Sequence, residues 1–325
     1  PDLMRSTAAS FPSNTVTYRT RSERTKQDLG NTLSYEGIGA YITVENQPEP
    51  HVILLAVISG SPAEKAGLHA HESIYAVDGQ KVTAEEGLQV VNRVRGPGGS
   101  VVTLDVQAPD GSKRTVNVTR GRVIAEDQLR WGMIGMSNTG LIRLPISANE
   151  GLSDMLIDAL RGLSEEGIGS LIIDMRIAHS SSSWPLVEML SLFGDGQMGE
   201  LRIKGSAQAL NVSANEVLNS QTLPLALLVG PDTQGPSEIF AAGLQASDRA
   251  VVLGLPTTGR VMGFDQFILP DGSKIFYAIS SYHTPDGKDI GIVGVQPDIV
   301  VNARWDEVND DSDPVISRAL LHLTQ

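Results

Sequence analysis

The second half of the chain alternates apolar runs with amphipathic helices, and this alternation constrains the fold most strongly. The runs SLIIDMR (170–176) and PLALLVG (224–230) are apolar without a polar alternation, which is typical of strands covered on both faces. A helical stripe of leucines and methionine precedes the first run and ends at Gly167. Further helices lie in PLVEMLSLF (185–193) and PSEIFAAGLQAS (236–247). The resulting βαβαβ order predicts a largely parallel sheet flanked by helices.

The stretch from 35 to 120 predicts a small β-rich domain instead. YEGIGAYITVE and HVILLAVI are strand-like in their β-branched content, and GSPAEKAGL (60–68) is typical of a turn followed by a short helix. Asp-Gly pairs at 78–79 and 110–111 predict hairpin turns. The segment 84–96 predicts an amphipathic helix with Leu88, Val91 and Val94 on one face.

Composition excludes several classes of function. The chain has 325 residues, a formal net charge of −13 and no cysteine. The negative charge argues against a nucleic-acid partner and against docking on anionic lipid. The absence of cysteine excludes a disulfide framework, thiolate catalysis and cysteine-ligated metals. His69 and His71 have no evident third ligand, so we expect a solvated turn rather than a metal site, and we predict no cofactor.

A strand–turn–helix corner at PDTQGPSEI (231–239) has the form of a hydrolase nucleophile site. Pro236 is well placed as the first helical residue, and the start of a helix favours developing negative charge. The residue at the corner is Gly235, which has no nucleophile. The pattern therefore leaves two alternatives, an enzyme whose nucleophile lies elsewhere or an enzyme fold without enzymatic activity.

A series of motifs in the right order resembles the C-terminal processing proteases, also called tail-specific proteases, which carry a PDZ domain. The resemblance implies a mixed α/β fold, in which a PDZ domain (35–120) precedes a ClpP/crotonase-like α/β protease core (121–325) with a small cap at about 194–222. It also implies that residues 1–34 pack on the core. The motifs that carry it are YEGIGAYI, VISGSPAEKAGLHAHESIYAVDGQKV, VVNRVRGPGGSVVTLDV, IIDMR, SEIFAAGLQASDRAVVLGLPTTGR, LPDGSKIFYAISSYHTPDG and GVQPDIVV.

The same resemblance implies that the catalytic residues are missing. The family's chemistry needs a serine activated by a neutral lysine. Aligned on the family's own spacing, Gly235 stands at the serine position, Arg260 at the lysine position and Phe264 at a supporting glutamine position. An arginine stays protonated and cannot act as a general base. The loop RIAHSSSSW also lacks the glycines of the family's oxyanion loop, so the resemblance implies a catalytically degenerate member, a pseudo-protease.

Two serines outside the family positions are alternative nucleophiles. Ser237 follows the corner, where capping or packing is its ordinary role. Ser181 lies in the run 180–183 beside His179, where a polar loop explains the serines equally well. The corresponding alternative function is an active serine endopeptidase that cleaves near protein C-termini. A third alternative is a structural subunit of a cell-envelope assembly.

Peptide binding is the function that would persist without catalysis. Gly37, Ile38, Gly39 and Ala40 resemble a PDZ carboxylate loop, and the strand continues through Tyr41 and Ile42. Leu88 and Val91 would form the other wall of the groove. His71 and Glu72 replace the family's Gly-Asp before the next strand, which puts that turn's geometry in question.

The predicted partners are protein C-terminal peptides, together with an active protease of the same family or an envelope complex. The predicted location is extracytoplasmic. The sequence does not define the oligomeric state.

Overall fold

The computed structural model describes residues 2–12, 15–21, 34–124, 128–147, 150–179, 184–203, 206–291, 293–309 and 312–324. The chain forms two compact units. The larger unit comprises Pro1–Leu29, Gln128–Asn302 and Val315–Gln325, and the smaller unit comprises Gly30–Asp127 and Ala303–Pro314.

The helices and strands of the described residues have the following bounds. The helices are α1 (Asp2–Ala9), α2 (Pro62–Lys65), α3 (Val91–Val94), α4 (Leu152–Glu165), α5 (Leu186–Phe193), α6 (Pro236–Ala246) and α7 (Pro314–Leu323). The strands are β1 (Val16–Arg19), β2 (Ser34–Gly37), β3 (Ala40–Glu45), β4 (His51–Val57), β5 (Ser73–Val77), β6 (Gln80–Lys81), β7 (Val101–Gln107), β8 (Lys113–Thr119), β9 (Gly121–Ile124), β10 (Arg130–Met133), β11 (Thr139–Arg143), β12 (Ser170–Asp174), β13 (Gly196–Ile203), β14 (Ser206–Val212), β15 (Leu225–Val229), β16 (Val251–Gly254), β17 (Phe264–Ile268), β18 (Lys274–Ala278), β19 (Ser280–His283) and β20 (Ile299–Val300).

A six-stranded sheet forms the centre of the larger unit. Its order is β10-β11-β12-β15-β16-β20. All neighbours are parallel except the edge strand β10. Every residue of β12 and β15 is buried, because helices cover both faces of a parallel sheet. The mixed α/β fold predicted from the sequence is confirmed.

Two smaller sheets complete the larger unit. One has the order β14-β13-β19, and its hairpin β13–β14 occupies the region predicted as a cap. The other has the order β1-β18-β17, so the N-terminal strand β1 pairs within the larger unit.

The smaller unit holds a six-stranded antiparallel sheet, in which β3-β4-β5-β7-β8 lie in that order and β6 pairs with β5, and a two-stranded sheet of β2 and β9. Its core cluster includes Ile38, Leu54, Ile74 and Leu104. The turn at Asp78 and Gly79 joins β5 to β6, as predicted.

The helix predicted over 84–96 is wrong in extent. The structure has a 3-10 turn at Gly87–Val90 followed by the one-turn helix α3. Gly87 has φ 49°, which a continuing right-handed helix does not allow. Val90 and Val94 are buried while Leu88 is exposed, so the core-facing stripe is shifted from the one predicted.

Residues 303–314 belong to the smaller unit, although the sequence prediction assigned them to the core domain. The contacts of Trp305 and Asp306 with β4 and with the turn before β5 hold this segment there. The other predicted domain boundaries stay predictions.

Candidate functional site

The corner at Gly235 lies between β15 and α6. Gly235 is the residue before the helix and has φ 77° and ψ −138°, a conformation that favours glycine. Its N–H donates to Glu238 Oε2 at 3.1 Å, and the Glu238 N–H donates to the Gly235 carbonyl at 2.9 Å. The corner is therefore a capped helix start built around a glycine at positive φ.

Glu238 connects this corner to the loop that carries Arg260. Its carboxylate is fully buried and accepts hydrogen bonds from Thr257 Oγ1 at 2.5 Å and from the Gly259 N–H at 2.7 Å. Burial raises the pKa of Glu238, although these hydrogen bonds oppose the change. The buried carboxylate thus ties the 257–260 loop to the start of α6.

Arg260 lies beside the corner through a contact with the residue before Gly235. Its Nη1 donates to Gln234 Oε1 at 3.0 Å, and the side chain is exposed. Phe264 begins β17, and 44% of its surface is exposed. The structure therefore places Arg260 against Gln234, the residue before Gly235, and the family positions assigned to Gly235, Arg260 and Phe264 stay predictions.

Ser237 is fully buried. Its hydroxyl donates to the carbonyl oxygens of Ala178 and Gln234, both at 2.9 Å. A hydroxyl shared between two carbonyls packs the first turn of α6 onto the neighbouring strand end, which is the capping and packing role expected for it. Ser181, the other candidate, lies outside the described residues.

His179 and Asp232 form a pair at the same corner that the sequence analysis did not predict. His179 Nε2 lies 3.9 Å from Asp232 Oδ1, and His179 pairs with Gln234 across the strand ends. Burial lowers the pKa of His179 and the Arg260 charge lowers it further, while Asp232 opposes both. The only sequence signal was an aspartate in the turn that precedes Gly235.

Asp174 lies at the end of β12 and is fully enclosed by arginines. Arg176 holds it with two hydrogen bonds, of 2.9 Å from Nε and 2.7 Å from Nη2, and Arg143 lies 3.8 Å away. Burial would raise the pKa of this carboxyl, but the two arginine charges outweigh it and lower the pKa. Such a pair fixes the strand end and leaves the carboxylate unsuited to accept protons at neutral pH.

The predicted carboxylate loop lies between β2 and β3. Gly39 has φ 82°, and a Cβ added there would lie 2.4 Å from the Ser61 Cβ, so only glycine fits. The carbonyls of Ile38 and Gly39 are held by the N–H groups of Ala63 and Ile58, at 2.7 and 3.0 Å. These bonds fix the turn from which β3 begins.

Strand β3 lies at the edge of its sheet, with β4 on one side. Ala40 and Ile42 are partly buried against the core cluster, and Tyr41 is also half-buried. Across from them, Leu88 is 63% exposed and Val91 is half-buried. An edge strand with an apolar floor can accept an extended peptide as an additional strand.

The turn at His71 and Glu72 holds a residue other than glycine at positive φ. His71 has φ 72°, and its ring stacks on Trp305 with 4.2 Å between ring centroids. Glu72 pairs with Arg114 at 2.6 Å. His69 is exposed and His71 is buried, and among the described residues no group of three or more His, Asp or Glu is arranged to hold a metal ion.

Comparison with known proteins matches both units. Residues 138–301 match the model of peptidase family S41, and residues 53–108 match a PDZ domain. A carboxyl-terminal-processing protease of Picosynechococcus sp. is 33% identical over 82% of this chain. The carboxy-terminal processing protease CtpA of Bacillus subtilis is 25% identical over 87% of it. The solved structure of the photosystem II D1 C-terminal processing protease superposes with a TM-score of 0.64 at 24% identity, covering 93% of this chain and 81% of that one.

The chain spans less than two thirds of the length of these curated relatives, 64% of the first and 59% of the second. None of the helices among the described residues has the length and apolar character needed to cross a membrane.

Proposed function

Because this chain belongs to peptidase family S41 and carries a PDZ domain, we propose that it is a non-catalytic pseudo-protease that binds protein C-terminal peptides. In this role it acts as a scaffold, adaptor or regulatory subunit, through the PDZ domain and the surfaces of the core. The proposal extends to an extracytoplasmic location, and to a partner that is an active protease of the same family or an envelope complex.

The geometry at Gly235 carries this proposal. The position that begins α6 has no hydroxyl, and the cation beside it is a guanidinium hydrogen-bonded to Gln234. A serine peptidase needs a nucleophile and a base that can accept its proton, and arginine cannot supply the base. The buried hydroxyl of Ser237, which donates to two carbonyls, supports the same conclusion.

A peptidase assay on the full chain tests the loss of catalysis. We expect no turnover of fluorogenic peptides and no labelling by a fluorophosphonate probe. Stoichiometric labelling of any serine would support the alternative, an active endopeptidase with a displaced nucleophile. Mass spectrometry of the labelled peptide would then identify that serine.

The second half of the proposal concerns the groove formed by Gly37–Ile42 with Leu88 and Val91. Successive N–H groups around Gly39 can converge on one carboxylate without a charged side chain. Ile38, Ala40 and Ile42 alternate along the chain, so one set would contact the last side chain of the peptide. With one strand and one anchoring side chain, we expect an affinity on the order of micromolar.

Calorimetry of the full chain tests this groove. We expect binding of an apolar-ended peptide with a free carboxylate and loss of binding when the same peptide is amidated. Leu88→Lys should weaken binding about tenfold, since an exposed apolar wall is lost and a tenfold change needs only ~1.4 kcal/mol. Val101→Lys is the matched control, because Val101 is a similarly exposed apolar residue on β7. Equal binding of the two peptides, or binding of neither, would favour a structural subunit instead.

A further inference from the structure

A short segment between β20 and α7 docks on the smaller unit through two histidines. We refer to residues 303–307 as the latch segment. His71 Nδ1 donates to the Trp305 carbonyl at 2.7 Å, and the Trp305 indole N–H donates to the Leu54 carbonyl at 3.3 Å. His51 Nε2 lies 3.1 Å from Asp306 Oδ2.

The partners of His51 fix its protonation state. Its side chain is fully buried, Nδ1 lies 2.7 Å from the Glu49 carbonyl, and Nε2 faces the Asp306 carboxylate. A carbonyl and an ionised carboxylate can only accept hydrogen bonds. Both ring nitrogens must therefore donate, which makes His51 an imidazolium ion paired with Asp306.

The other charged groups around His51 agree with this state. Arg304 Nη2 lies 3.2 Å from Asp306 Oδ2 within the latch segment, and Lys81 lies 3.9 Å from the carboxylate of Glu49. Tyr75 of β5 stacks on His51 with 5.0 Å between ring centroids. Burial, together with the charges of Asp306 and Glu49, raises the pKa of Tyr75, so this ring stays neutral wherever His51 is charged.

We propose that residues 303–307 form a pH-dependent latch, held on the smaller unit while His51 is protonated and released when His51 loses its proton. The chain passes between the two units at 29–30, at 127–128 and at both ends of 303–314. Release of the latch segment leaves the smaller unit joined to the larger one by the first two connections and by a longer, undocked tether. The latch thus regulates whether residues 303–307 are docked on the peptide-binding unit, whatever that unit binds.

The pH range in which the latch is closed follows from the pKa values of His51 and Asp306. Burial lowers the pKa of His51, but the hydrogen bonds to Asp306 and Glu49 outweigh it, so the pKa lies above its ordinary value of 6.5. The stabilisation is therefore complete below pH 6.5 and is lost as the pH rises through the pKa of folded His51. Burial would raise the pKa of Asp306, but His51 and Arg304 lower it below 3.8. The latch also opens in acid once that carboxylate is protonated.

Trypsin cleavage between Arg304 and Trp305 in the full chain measures release of the latch segment. Wild type and His51→Gln are compared at the same pH, so that the protease's own pH dependence cancels. At pH 6 we expect the variant to be cleaved there about tenfold faster for each unit by which folding raises the pKa of His51. At pH 9 the two rates should converge. His69→Gln, at a side chain 77% exposed in the same unit, should match wild type at both values.

The latch would be overturned if the cleavage rate of His51→Gln divided by that of wild type were the same at pH 6 and pH 9. Equal cleavage rates of the two proteins at both pH values would overturn it as well. Circular dichroism checks that His51→Gln is folded. The same comparison of cleavage rates is repeated with Asp306→Asn, which changes the shape of the side chain less. A readout on the wild-type chain alone is the NMR titration of the His51 ring. We expect its midpoint above 6.5, and a midpoint at or below 6.5 would also overturn the proposal.

Discussion

At the scale of single residues, Gly235 and Arg260 were identified from the sequence because they lie 25 residues apart, in segments whose motifs align with the family without a gap. The hydrogen bond from Arg260 to Gln234, the residue before Gly235, is seen only in the structure. The pairing of His179 with Asp232 was not predictable. It depends on two loops that meet at the ends of neighbouring parallel strands, and neither loop carries a periodic pattern.

Placing serine and lysine at the two family positions should not by itself give an efficient peptidase. We expect Gly235→Ser combined with Arg260→Lys to fold, at a cost of roughly 1–3 kcal/mol for a serine at φ 77° and ψ −138°. We expect its cleavage rate to stay at least about 100-fold below that of a working family member, because catalytic groups act as a unit. A missing oxyanion donor alone costs about 100- to 1000-fold. Peptide turnover is the measurement, and Gly235→Ala with Arg260→Lys is the control that differs by one oxygen atom. Turnover of the serine variant at a relative's rate would contradict our interpretation of the loop 177–183.

At the scale of elements, the long-range sheet was predictable and the local helix at 84–96 was not. Continuous apolar runs such as those of β12 and β15 need cover on both faces, so they predict a parallel sheet with little ambiguity. The 84–96 segment has a helical pattern, but Gly87 adopts positive φ and interrupts it. The latch segment was missed because its contacts join residues about 250 positions apart, and no local pattern reports such a contact.

The contacts between His71 and Trp305 should compensate for the strain of a residue other than glycine at position 71. A non-glycine residue at positive φ is strained, and here stacking and the hydrogen bond to the Trp305 carbonyl compensate. We expect His71→Gly to lower the free energy of unfolding in wild type by about 1 kcal/mol. In the Trp305→Ala background the same change should lower it by less, since the ring stacking is already lost while the hydrogen bond to the backbone carbonyl of residue 305 and the strain at position 71 are present in both backgrounds. Urea unfolding of the four proteins gives this double-mutant cycle, and additive effects would mean that the two rings are not coupled.

At the scale of the whole molecule, each unit has a hydrophobic core of its own. One cluster lies in the larger unit and includes Leu156, and the other lies in the smaller unit and includes Leu104. A chain of 325 residues is long enough for two such cores. The predicted boundary at residue 120 rests on a change of pattern, because alternating hairpins and continuous apolar strands bury their side chains in different ways, and it stays a prediction.

The two cores should give separable unfolding transitions, to which the three tryptophans report differently. Trp305 lies in the smaller unit, whereas Trp131 and Trp184 lie in the larger one. In a chain that keeps only Trp305, Leu104→Ala should lower the free energy of unfolding by about 2–5 kcal/mol, because it leaves a cavity at a fully buried site. In a chain that keeps only Trp184, Leu156→Ala should lower the free energy of unfolding by the same amount. Neither substitution should shift the unfolding transition of the other unit by more than about 0.5 kcal/mol. Val101→Ala and Val187→Ala, at half-exposed positions of the smaller and larger unit, are the matched controls and should each change stability by less than about 0.5 kcal/mol. If both core variants shift both transitions equally, the chain unfolds as one cooperative body and the two cores are energetically coupled.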